Sequence, residues 1–124
     1  MRSPAHPDYL PAPLETSLAL LHEWLVKVAD AGNLELDLRN LRTVLINLLE
    51  IVEERASITA AVDGLYEAAS SYEREVRRAF ASATPNYPLV LKRAAAMERS
   101  FVHLRQALAG AKPSAAGERS GVLW

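Results

Sequence analysis

Two histidines are the side chains of this 124-residue chain whose type and setting come nearest to chemistry. His22 is followed at once by Glu23, and an imidazole steered by a carboxylate can carry a proton or attack a phosphoryl group near neutral pH. His103 stands in the run Phe101-Val102-His103-Leu104-Arg105, where the neighbouring guanidinium would suit an incoming phosphate. Each is therefore a candidate phospho-accepting residue. The plain alternative for both is a structural histidine on a helix surface.

Metal chemistry finds less support. A carboxylate-bridged site inside a helical bundle needs Glu-x-x-His pairs aimed inward from facing helices. Glu53 and Glu54 have no histidine three residues on, and Glu98 and His103 are five apart. His6, His22 and His103 are too scattered for zinc, and the absence of cysteine removes disulfides, thiol catalysis and thiolate ligation. No metal, cofactor or catalytic constellation is expected. His22-Glu23 resembles the phospho-accepting helix of sensor kinases, although no Arg-Thr-Pro follows and no ATP-binding module accompanies it. His103 beside Arg105 is similar to the histidine of phosphotransfer bundles, with Gln106 and Ala107 where glycine and small residues usually stand. These resemblances imply a role in phosphotransfer, or a bundle with a small-ligand pocket, as the alternative to a plain scaffold.

Charge is less even than the total suggests. The formal net charge of −1 gives no global field for nucleic acid or anionic lipid. Locally, Arg74, Arg77 and Arg78 precede a proline-rich turn, and Lys92 and Arg93 follow it. A hairpin there would gather them into a candidate anion patch able to meet phosphate, an acidic protein surface or nucleic acid. Against that, Glu73 lies four residues before Arg77, an ordinary helix-surface pair. With no groove-reading motif, nucleic acid is not the expected partner.

Any such group must be positioned by helices. Half of the residues are hydrophobic, 23% are charged, 6% are aromatic and only five are glycine, a balance that suits one folded helical domain. Residues 1–12, with Pro4, Pro7 and Pro11, read as an extended or disordered lead without the pattern of a secretory signal. Pro13 suits the first turn of a helix over 13–31, in which Leu14, Leu18, Leu21, Leu25 and Val28 step by 4, 3, 4 and 3. Gly32-Asn33 supplies the stop, and Asp37 is a suitable N-cap for the second helix. There Leu38, Leu41, Leu45, Leu48 and Val52 form a seam, and Val44, Ile46, Leu49 and Ile51 widen it.

The third seam runs Ile58, Val62, Leu65, Ala69, Tyr72, Val76, out of phase with the second. A turn near 56–59, capped by Ser57 or Thr59, reconciles the two; the alternative is one nearly continuous helix. Thr84-Pro85-Asn86-Tyr87-Pro88 breaks the chain again, with Pro88 opening the last helix. Val90, Ala94, Met97, Phe101, Leu104 and Leu108 form its seam and Gly110 ends it. Residues 111–124 read as a flexible tail closing on Val122-Leu123-Trp124. No window comes near 18 uninterrupted apolar residues, so no membrane span is expected, and a cytoplasmic location is the default.

The expected fold is all-α: an antiparallel up-down-up-down four-helix bundle over 13–110, either closed on itself or paired as a homodimer. The second helix carries more apolar side chains than one neighbour can cover, so it is either central or part of an interface. The function expected from this surplus is a non-enzymatic protein–protein interaction module, as a homodimer, adaptor, inhibitor or chaperone-like bundle. Its candidate interface is Val44, Ile46, Leu49, Ile51, Trp24 and Trp124, facing another protein or a second copy of the chain. Trp24 and Tyr66 otherwise read as packing residues at the core edge.

Overall fold

The computed structural model describes residues 12–112 and contains four helices, with no strand among the described residues. These are α1 (Ala12–Asp30), α2 (Leu34–Ile51), α3 (Ala56–Ala81) and α4 (Tyr87–Leu108). All five seam residues of α1 are buried, as are Leu41, Leu45, Leu48 and Val52 at α2 and all six of α3. In α4 only Met97, Leu104 and Leu108 are fully buried, while Val90, Ala94 and Phe101 pack half-buried against the core. Period-3.5 patterning therefore marks the inward face of each helix.

α3 and α4 share the broadest packing, α1 and α2 the next, and α2 meets α3 between these two pairs. α1 makes narrower contacts with α3 and α4, and α2 does not touch α4. The arrangement fits a four-helix bundle in which α1 and α3 each pack on all three other helices, whereas α2 and α4 do not. The wide apolar surface of α2 is thus not explained by a central position.

Helix ends depart from the sequence expectation in physically informative ways. The left-handed residue that closes α1 is Ala31 (φ 59°) and not Gly32, because its N–H donates to Val28 O at 3.0 Å and ends the helix one residue early. α2 begins at Leu34, so Asp37 lies inside its first turn, where its own N–H already donates to Asn33 O at 2.9 Å. Its carboxylate still favours the helix N-terminus through the macrodipole.

The break between α2 and α3 falls at 52–55, not at 56–59, and neither Ser57 nor Thr59 caps α3. Val52 and Arg55 are extended (φ/ψ −112°/157° and −148°/129°). The reason lies across the molecule: Glu53 N–H donates to Lys112 O at 2.7 Å, and Lys112 N–H donates back to the Glu53 carboxylate at 3.1 Å. A short extended pairing thus replaces helix at this link. Ala111, placed by the sequence in the tail, is buried beside it. Gly110 (φ 79°) turns the chain into this position after α4. At the other end Asn86 caps α4, its side-chain oxygen accepting from Leu89 N–H at 3.1 Å, with Pro88 in the first turn.

Candidate functional site

His22 is oriented by an acid, but not by its sequence neighbour. Its Nε2–H donates to Glu98 on α4, at 3.0 Å from Oε2 and 3.3 Å from Oε1. Because a carboxylate only accepts, this contact fixes the proton on Nε2. The ring also lies tilted against Phe101, with centroids 4.9 Å apart. Seven residues earlier on α1, Glu15 receives both terminal nitrogens of Arg105, at 3.1 and 2.9 Å. That guanidinium fork holds the Glu15 carboxyl below its ordinary range. The α1–α4 seam is therefore closed by two polar clamps around one half-buried aromatic ring. For phosphotransfer the arrangement is ill suited at Nε2, since the carboxylate there repels an incoming phosphoryl group.

His103 lies exposed on α4 and lines an open groove of about 250 Å³ between α3 and α4, with Ala60, Ala61, Gly64, Ala96, Arg99 and Ser100. The structure does not bring His22 and His103 to one site. Among the described residues no three of His, Cys, Asp or Glu gather as metal ligands. His6 and Trp124 lie outside the described residues.

The candidate anion patch is mostly tied within α3. Arg77 Nε donates to Glu73 at 2.5 Å, Arg78 to Glu75 at 3.1 Å and Arg74 to Ser71 Oγ at 3.1 Å. Glu75 is buried, so Arg78 neutralises an otherwise costly interior charge. Lys92 is exposed and Arg93 half-buried, and neither has an ion pair among the described residues.

The candidate interface is divided. Val44, Leu49 and Ile51 are half-buried and pack against the core, whereas Ile46 is 43% exposed. Trp24 is half-buried against the core and carries the Lys27 ammonium 5.5 Å above its ring centroid, a cation–π contact. Tyr66 also packs on the core edge. Near Ile46 in exposure are Leu36 on α2 and Leu20 and Val26 on α1, all at 45–47%.

Sequence reasoning passed over the most exposed large apolar side chains among the described residues, Phe80 (78%), Tyr87 (65%) and Leu91 (70%), at the α3–α4 turn. A signal was present in helix length. α3 has 26 residues and α4 has 22, against 19 and 18 for α1 and α2. At 1.5 Å per residue, α3 outruns α2 by roughly 12 Å. No helix of the model is long and apolar enough to cross a membrane. No protein-family model matches the chain, and no curated protein or solved structure matches it.

Proposed function

We propose that this chain is a non-enzymatic protein–protein interaction module, an antiparallel up-down-up-down bundle that presents the outer flank of its α1–α2 hairpin to a second copy or to another protein. The observation that carries this reading is the half-exposure of four large apolar side chains on that hairpin: Leu20 and Val26 on α1, Leu36 and Ile46 on α2. α2 packs on α1 and α3 but not on α4, so one side of it has no helical cover. Apolar surface left in water on an uncovered flank favours association. The antiparallel reading draws on the α1–α4 clamps, where Glu15 meets Arg105 and His22 meets Glu98: as the chain advances along α1 it retreats along α4. A cytoplasmic setting goes with this reading.

Native mass spectrometry of the gently purified protein tests it, with Ile46→Lys as the control. Association of the unaltered chain, as a dimer or with a co-purified protein, that is lost in the variant is the expected result. Ile46 is surface-exposed, so the variant retains the fold. A monomer carrying a reproducible small-molecule mass would instead point to a bound ligand and overturn the reading, as would association that Ile46→Lys leaves unchanged.

A further inference from the structure

A second surface lies at the other hairpin. Between Val76 and Met97 no side chain is fully buried, although most of this stretch is helix. The same 20 positions, 77–96, contain Arg77, Arg78, Lys92 and Arg93 and no Asp or Glu, so they carry +4 while the rest of the chain carries −5 against a total of −1. The three most exposed large hydrophobic side chains among the described residues, Phe80, Tyr87 and Leu91, lie in this segment. A near-neutral sum thus conceals a hairpin end that is both basic and apolar.

We infer that the α3–α4 turn is a docking tip for an anionic lipid surface, with Phe80, Tyr87 and Leu91 entering the headgroup region and the four cations meeting lipid phosphates. Charge complementarity and layering carry the inference. Arg77 lies three residues before Phe80, roughly 4.5 Å back along the helix, and Lys92 lies five residues after Tyr87, roughly 7.5 Å back. Those offsets set the cations about one turn behind Phe80 and Tyr87, with Leu91, one residue before Lys92, close to their level. Interfacial proteins bury their apolar face about 5–10 Å into the headgroup and acyl boundary, so the basic side chains would stand near phosphate level.

A projecting convex end suits a flat, deformable lipid surface, whereas a protein partner would need a matching cleft. The tip is also held in shape before contact. Asn86 caps α4, Thr84 N–H donates to Ser82 Oγ at 3.1 Å, and Pro85 and Pro88 restrict the turn. Little ordering cost then remains on docking. Arg77 and Arg78 are paired with Glu73 and Glu75, but their side chains stay 60% and 70% exposed. Glu73 and Glu75 are themselves only 16% and 7% exposed, so both pairs persist while the outward sides of the two guanidiniums stay open to lipid phosphate.

Co-flotation of the full chain with phosphatidylcholine vesicles, with and without phosphatidylserine, tests the inference. The chain is expected to float with phosphatidylserine vesicles, to stay in solution with phosphatidylcholine alone and to be released by high salt. Lys92→Gln with Arg93→Gln should weaken binding on the order of thirtyfold. Phe80→Ser with Tyr87→Ser and Leu91→Ser should weaken it by at least about tenfold, with thermal unfolding confirming that each variant is folded. Failure of the unaltered chain to float with phosphatidylserine overturns the proposal. So does unchanged binding in either folded variant, or binding to duplex DNA without vesicle binding. None of these variants touches the α1–α2 flank, so the outcome is read separately from the association test above.

Discussion

Along α3 the residues Ile58, Val62, Leu65, Ala69, Tyr72 and Val76 are all buried, yet at the next step of that alternation Ala79 is only half-buried and Phe80 beside it is 78% exposed. The mirror image holds in α4. Met97, Leu104 and Leu108 are buried, Val90 and Ala94 only partly, and Tyr87, three residues before Val90, is exposed. One pattern thus ends in two environments. A heptad seam specifies which face of a helix is apolar, but burial also requires a neighbour at that height. The shorter α1–α2 hairpin supplies one for most of the bundle and leaves the α3–α4 tip without it.

Four measurements can break or sharpen this contrast. The largest effect belongs in the closed region: Leu65, fully buried on α3, should lose about 2–5 kcal/mol of stability on change to alanine, read by denaturant unfolding. A loss below about 1 kcal/mol would mean that the core around α3 is loose and the contrast false.

Tyr72 lies near the upper limit of that region, and its hydroxyl donates to Ala29 O at 2.5 Å, tying α3 to the end of α1. Burial, followed by the Asp30 charge, pushes its phenol above the ordinary value, which keeps the donor proton in place. Tyr72→Phe should cost about 0.5–1.5 kcal/mol and leave the fold intact. A neutral result would show that the carbonyl at Ala29 is satisfied by water and that the two hairpins are not joined there.

The lower end carries a pH dependence. The Lys112 backbone N–H, aided by the nearby Arg55 and Lys112 charges, holds the Glu53 carboxyl below the usual glutamate value of 4.5. A carboxylate lowered in the folded state stabilises above its unfolded value, and that contribution disappears as pH falls through the folded one. Unfolding midpoints measured down through the carboxylate range should therefore fall, and fall less in Glu53→Gln. Parallel curves for the two proteins would remove the Glu53–Lys112 link from the account. The smallest effect is expected at the tip, where Phe80→Ser should change stability by less than about 0.5 kcal/mol. A large loss would mean that Phe80 is packed and the tip is not exposed.

The sequence reveals the four helices and nearly all of the core, because each seam repeats cleanly over five or six positions. It misplaces the end decided by a distant contact, the link at 52–55 set by Lys112, whereas at Ala31, where a local hydrogen bond to Val28 closes α1, it is off by one residue. His22 shows the same limit for a candidate site. Its adjacent Glu23 drew notice in the sequence, but the acid that holds it, Glu98, is 76 residues away. Phe80 and Tyr87 stand outside the seams read from the sequence, and their exposure becomes intelligible only when the lengths of all four helices are compared. Pairing across space and the height of neighbouring helices are tertiary quantities, and no local pattern encodes them.

Hydrogen exchange with peptide-level mass spectrometry, with and without phosphatidylserine vesicles, addresses the contrast most directly. In the free protein, amides over 58–76 and 97–108 should exchange slowly and those over 77–96 early, since local opening follows the density of buried contacts. Vesicles should then slow exchange over 77–96 and leave 34–51 unchanged. Uniform protection along α3 in the free protein, or vesicle protection centred on α2, would contradict the account.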